Sequence, residues 1–255
     1  MYDSHELFTE IPELTNKPFV KSIWLKLENS ILPKLKNCYT VCDSIANFYN
    51  KKYKTNFKII RNLPLKKRIL HSSFPFFTQN KKIILYQGVI NIGRGLELII
   101  ETMTYLKNHL LIIIGDGDVL DDLKEIVLQK NLQEKVKFID KIFPEELQKL
   151  TPLANIGISL EENLGLNYHF ALPNKVFDYI QANVPILVSD LPEMKQLVIK
   201  YNVGEIVKNR NPKSLAKQIN EMLKKNYSKE LNRAKNQLIW ELEKEKLLLI
   251  FNNLM

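Results

Sequence analysis

Between Ala171 and Met194 the chain reads ALPNKVFDYIQANVPILVSDLPEM, and the order of residue types suits capture of a phosphorylated ligand. Pro173 fits the first turn of a helix, where its missing N–H costs nothing and the N–H groups that follow have no intrahelical partner. Phosphate oxygens are natural guests at such a helix start, and Asn174 and Lys175 stand beside it. Asp178 follows Lys175 by three residues, so a carboxylate and a cation share one helix face. An intrahelical salt bridge on a surface helix explains that pair equally well.

A second segment, ILYQGVINIGRGLELI at 84–99, places Gly88, Gly93 and Gly95 between an apolar run and a helical stripe. A strand-to-helix turn of this kind exposes backbone N–H groups, and Arg94 adds a planar fork of donors. A tight turn with no ligand accounts for the glycines nearly as well. Read as a nucleotide P-loop, the segment fails, because Arg94 stands where the phosphate-binding lysine belongs and Gly95 where a hydroxyl should hold magnesium. LIIIGDGDVL at 111–120 supplies Gly115 and Gly117, but Leu120 takes the third position of a dinucleotide fingerprint.

These segments need a scaffold. Apolar β-branched runs at Lys82–Tyr86, Leu110–Ile114, Val136–Ile139, Ile156–Leu160, Ile186–Ser189 and Glu205–Val207 alternate with helical stripes at Leu96, Ile99, Ile100 and Met103, at Leu120, Leu123 and Val127, and at Val176, Phe177 and Ile180. That alternation predicts six parallel strands with helical crossovers, a complete Rossmann-like domain. The first 60 residues hold less: an apolar helical stripe at Phe19, Ile23, Trp24, Leu27 and Ile31, a strand end at Tyr39–Cys42, a helix at Ser44–Tyr53 and a strand at Phe57–Ile60. With Lys21, Lys26 and Glu28 opposite, the stripe is expected to face a core rather than a membrane. The predicted division is a partial N-terminal domain at 1–65, a linker at 66–81, the six-stranded domain at 82–230 and a C-terminal helix at 231–255. Ser214 reads as the N-cap of a helix carrying Leu215 and Ile219, and one last helix spans Asn232–Phe251.

Length agrees with one full domain and a remnant, since 255 residues exceed an average domain and fall short of two large ones. Hydrophobic residues at 45% and charged residues at 25% exclude a disordered chain. The net charge of +9 suits an anionic partner, either a phosphate-bearing ligand, a nucleic acid or an acidic membrane, though a solvated lysine-rich surface explains it as readily. No nucleic-acid recognition motif accompanies it. Cys38 and Cys42 on one strand would lie about 13 Å apart, beyond bridging, and read as core residues in a reducing compartment. No apolar run approaches a membrane span and MYDSHELFTE lacks the features of a signal peptide, so a cytoplasmic location is expected.

The first strand and turn ending in Arg94-Gly95, the IIGDGD turn, the VKFID strand, the helix PNKVFDYIQANVP and the turn LVSDLPEM occur in the same order in the donor domain of retaining GT-B glycosyltransferases of family 4, which residues 82–225 resemble. YDSHELF, the strand before CDS, RNLP and the Trp240 helix resemble the later acceptor domain, the crossover and the returning C-terminal helix. The implied fold is α/β and GT-B-like, one complete Rossmann-like donor domain plus a partial acceptor domain. The resemblance implies that Asp178, seven residues before Pro185, binds the donor ribose, that amides around Asn174, Lys175 and Val176 cradle the diphosphate, and that Arg94 with Lys175 neutralises it. It puts Gly88, Gly95, Gly115, Gly117, Asp140 and Lys141 at the same cleft and makes His5 the acceptor-side catalytic histidine. No metal and no cofactor are implied, because cations stabilise the leaving diphosphate.

Departures from the pattern fall at Val89, where an arginine is usual, at Phe170, where a glutamate is usual, and at Asp140 and Asn183, which replace glycines. Glu161 or Glu162 can stand in for the glutamate. The strands that precede YDSHE in the family have no counterpart, so the expectation is an N-terminally incomplete chain, in which either an upstream partner chain completes the sheet or the reading frame is truncated and the acceptor site incomplete. The expected function is sugar transfer with retention from a nucleotide sugar to a glycan or lipid-linked acceptor in cell-surface polysaccharide synthesis, peripheral to the inner face of the membrane. The alternatives are a non-catalytic nucleotide-sugar-binding subunit of a split or degenerate enzyme and, more weakly, an epimerase.

Overall fold

The computed structural model describes residues 1–11, 14, 17–66, 72–76, 78 and 80–252. Residues 67–71, 77 and 79 of the expected linker and 253–255 of the expected last helix lie outside the described residues.

Strands β4 (Lys82–Gln87) and β5 (His109–Ile114) are apolar along nearly their whole length because helices cover both of their faces. They form the middle of a parallel sheet completed by β6 (Val136–Ile139), β7 (Ile156–Ser159), β8 (Ile186–Val188) and β9 (Gly204–Ile206) in the order β6-β5-β4-β7-β8-β9. Strand order reverses between β4 and β7, and in doubly wound sheets ligands bind outside the carboxyl ends of the strands at that point. The turn after Gln87 and the loop after Ser159 both open there. All six strands expected from the sequence are present, with ends shifted by one residue at most.

A second parallel sheet is built from β1 (Tyr2–Ser4), β2 (Cys38–Thr40) and β3 (Phe57–Ile59), in that order. Tyr49, Tyr53 and Phe57 stack beneath it around Leu7, Cys38 and Cys42. Both cysteines are free and buried, as expected, and burial beside Glu193 pushes the Cys42 thiol up to about 12. The two parallel sheets, one complete and Rossmann-like and one of three strands, match the GT-B-like α/β arrangement that the resemblance implies.

Three local expectations are corrected. The helix Pro18–Ile31 does not turn its apolar stripe to a core: Phe19, Ile23, Trp24, Leu27 and Ile31 are exposed, while Lys21, Leu25 and Glu28 face the protein. Hydrogen bonding decides this, since Glu28 accepts from Lys52 and from the Tyr53 hydroxyl and Lys21 pairs with Glu10. The helix Pro212–Met222 starts two residues before Ser214, because the Asn211 side chain accepts from the N–H groups of Lys213 and Ser214. The single last helix is two, Ser228–Gln237 and Trp240–Asn252, broken where Leu238 and Ile239 turn into the interior.

Candidate functional site

A cleft of 620 Å³ opens between the two sheets, at the carboxyl end of β4. Its six-stranded wall carries Gly88, Arg94, Asn174, Lys175 and Asp178, and its three-stranded wall carries His5, Glu6, Val41 and Asn62. The first turn of the helix Asn174–Gln181 starts at Pro173 with no side chain capping it, so its N-terminal positive dipole end is available to an anion. Val176 is fully buried and its N–H donates to the Pro173 carbonyl, which leaves the Asn174 and Lys175 amides as the first-turn donors at the cleft.

The two cations converge on one buried carboxylate. Glu161 is 1% exposed and accepts from the Ser159 hydroxyl at 2.7 Å and from Lys175 Nζ at 3.1 Å. Arg94 Nη1 lies 3.9 Å from the same Glu161 oxygen. Burial works to raise the Glu161 pKa, yet the Lys175 ammonium and the Ser159 hydroxyl bring it below the usual carboxylate range, so the group is an anion. Lys175 Nζ also sits 4.0 Å from the Tyr86 ring centroid and Arg94 stacks 5.6 Å over Tyr168, while Arg94 Nε is buried without a partner. A buried guanidinium N–H with no acceptor is a group that a ligand oxygen can satisfy. The sequence raised a salt bridge from Lys175 to Asp178; the ammonium is engaged by Glu161, and Asp178 Oδ2 accepts from Gln87 Nε2 at 3.3 Å.

The remaining expected residues divide by location. A Cβ on Gly115 would stand 1.9 Å from the Gly88 carbonyl oxygen, and Gly88 N–H donates to Ile114 O, so these two glycines let the turns after β4 and β5 cross. Gly117 lies under Ile90 in the same crossing. Gly95 holds φ +68 at the start of the helix Leu96–Thr102, pressed on the Leu160 carbonyl. Gly95, Gly115 and Gly117 shape the loops and do not line the cleft, whereas Gly88 does. Asp140 and Lys141 are exposed after β6, at the sheet edge and outside the cleft lining. His5 lines the cleft from the opposite wall, its Nε2 3.0 Å from Asp3 Oδ2 and its Nδ1 3.2 Å from Asn62 Nδ2.

Several contacts fasten the walls together. Asn167 accepts from Leu7 N–H and donates to Glu6, and Glu193 accepts from Ser44 N–H. The helix Trp240–Asn252 joins the crossover, with Trp240 N–H donating to Pro64 O and Glu243 accepting from Arg61 N–H. Sequence reasoning did not single out Gln87, Tyr168 or Asn167. Gln87 carried a signal, as the one uncharged polar side chain ending the apolar run IILY; the other two sit in the four-residue helix Leu166–His169, too short to show a periodic pattern. Among the described residues no three or more His, Cys, Asp or Glu side chains are grouped to hold a metal ion, and no helix is long and apolar enough to cross a membrane.

Residues 70–238 match the family model of glycosyl transferases group 1. An uncharacterized glycosyltransferase of Methanocaldococcus jannaschii, MJ1607, is 28% identical over 143 residues, which make up 54% of this chain and 34% of that protein, so the chain spans about a third of that relative's length. Among solved structures, Anabaena Alr3699/HepE in complex with UDP and glucose superposes with a TM-score of 0.76 at 12% identity over 98% of this chain and 70% of that one. Sucrose-phosphate synthase of Thermosynechococcus elongatus gives 0.73 at 16% over 99% and 67%. WaaG, a glycosyltransferase involved in lipopolysaccharide biosynthesis, gives 0.63 at 16% over 83% and 62%.

Proposed function

We propose that this chain, which belongs to the group 1 glycosyl transferases, binds a nucleoside diphosphate sugar in the cleft between its sheets and transfers the sugar with retention to a glycan or lipid-linked acceptor in polysaccharide synthesis. The observation that carries this reading is the meeting of Asp178, Arg94, Lys175 and an uncapped helix start on one wall of a 620 Å³ cleft, with His5 on the other. Asp178 accepts from the ribose hydroxyls. The Asn174 and Lys175 amides and the Arg94 guanidinium take the diphosphate, whose negative charge grows as the glycosidic bond breaks, so these donors bind the transition state more tightly than the donor itself. The two cations make a metal ion unnecessary. His5 faces the sugar from the acceptor side, and the acceptor hydroxyl attacks from the face the diphosphate leaves.

UDP, UDP and glucose, and alpha-GlcNAc-glycerol with UDP accompany the solved structures of HepE and S. aureus TarM, which supports a nucleotide sugar as the donor here. The outward apolar face of the helix Pro18–Ile31, with net charge +9, supports work at an anionic membrane surface or against a partner chain. Salt-sensitive sedimentation with phosphatidylglycerol vesicles separates the first from the second.

The test is transfer from a panel of radiolabelled UDP-, GDP- and ADP-sugars to a membrane glycolipid fraction, with the anomer of the product read by NMR. Transfer with the donor's anomeric configuration is expected. Inversion contradicts retention, and nucleotide binding without transfer in any mixture supports the non-catalytic subunit instead.

A further inference from the structure

Gln87 ends β4 with a side chain 2% exposed, and a buried amide must find partners for both of its ends. Asp178 Oδ2 lies 3.3 Å from its Nε2, and Thr151 Oγ1 lies 2.9 Å from its Oε1. A carboxylate only accepts, so the NH₂ end faces Asp178, the carbonyl end faces Thr151, and the threonine hydroxyl is the donor that matches it. Thr151 is itself 2% exposed, and its single hydroxyl proton is shared between Gln87 Oε1 and Leu147 O, the latter 2.8 Å away, which ties the relay to the helix Pro144–Leu150. The Gln87 backbone is pinned as well: its N–H donates to the Tyr179 hydroxyl at 3.1 Å, one residue beyond Asp178, and that hydroxyl reaches Leu85 O at 3.1 Å. The end of β4 and the helix bearing Asp178 are therefore joined at two points, and one of them is the carboxylate itself.

We propose that Gln87 and Thr151 are positioning residues for Asp178, a buried relay that aims its carboxylate at the vicinal diol of a ribose and so makes the site discriminate ribonucleotides from their dideoxy forms. The inference rests on the donor reading above. A carboxylate free to turn about χ2 can meet one hydroxyl at a time, whereas one held by a fixed amide donor presents the same plane to every ligand, and a site built to bond a hydroxyl rejects the analogue that lacks it.

The experiment is calorimetric titration of the whole chain with UDP, GDP and ADP and with the 2′,3′-dideoxy form of each. The wild-type chain is expected to favour the ribose form by about tenfold or more. Gln87→Leu and Thr151→Val should bring that preference to about threefold or less while affinity for the dideoxy form stays within about twofold, and Thr151→Ser, which keeps the hydroxyl, should restore it. Equal weakening of both forms in the two variants would mark a merely structural role and overturn the proposal, as would an unchanged preference in both. No binding of any nucleotide by the wild-type chain would overturn the donor reading itself, a result distinct from loss of the relay alone.

Discussion

The two walls of the cleft are made differently. On the six-stranded side Lys175, Glu161 and Gln87 are buried, each hydrogen-bonded to a side chain from another segment, and the turns after β4 and β5 cross so closely that only glycine fits at position 115. On the three-stranded side His5 is exposed, and its ring is held by Asp3 and Asn62, both at the surface. A rigid wall suits recognition of a fixed chemical group, a nucleoside diphosphate, because preorganised donors lose little entropy on binding. An exposed wall suits an acceptor that must enter and leave.

If the contrast is real, mutations on the rigid side should act on stability and donor affinity, and those on the open side on transfer. The largest effect is expected for Gly115→Ala, whose methyl would meet the Gly88 carbonyl; a loss of about 3 kcal/mol, or roughly 6 to 12 °C in thermal melting, should follow. A melting point within about 2 °C of wild type would show that the crossing turns give way. Next come Arg94→Ala and Lys175→Met, each removing a charged donor; nucleotide affinity should fall by about 30- to 100-fold, as measured by titration. On the open side, His5→Ala should slow transfer about tenfold or more while nucleotide affinity moves less than about twofold, and an equal loss of both would erase the contrast.

Acid sensitivity sharpens it further. Glu161 has a folded pKa below its unfolded value near 4.5, so its ion pair stabilises the fold fully above that value and the contribution is lost as pH falls through the lower folded pKa. Glu161→Gln should flatten the acid limb of a stability-versus-pH curve below about pH 4.5 and leave neutral pH unaffected in slope. The smallest effect belongs to Phe19→Ser on the outward helix face, where denaturant unfolding should change by about 0.5 kcal/mol or less.

Much of the rigid wall was legible in the residues. Buried parallel strands such as β5, HLLIII, announce themselves because both faces need apolar side chains, and the helix beginning at Asn174 follows from Pro173. The helix Pro18–Ile31 shows where such reading fails. Its apolar stripe has a correct period, but periodicity says which residues share a face and not which face the neighbours occupy; the pairing of Glu28 with Lys52 and Tyr53 decided that. The partner of Lys175 was not legible for a related reason. Lys175 and Asp178 are near in sequence, whereas Glu161 reaches Lys175 only because β7 and the helix Asn174–Gln181 meet in space. Gly115 and Gly117 stood out as glycines, but that they serve loop crossing rather than ligand contact depends on two turns 27 residues apart, the separation of Gly88 and Gly115.

The central claim is that the wall bearing Asp178 and Arg94 is a nucleoside diphosphate site. Titration of the wild-type chain and of Asp178→Ala with UDP, GDP and ADP tests it most directly. At least one nucleotide should bind the wild type, with affinity reduced about tenfold or more in the variant. Binding of none of the three, or equal binding by both proteins, would contradict it.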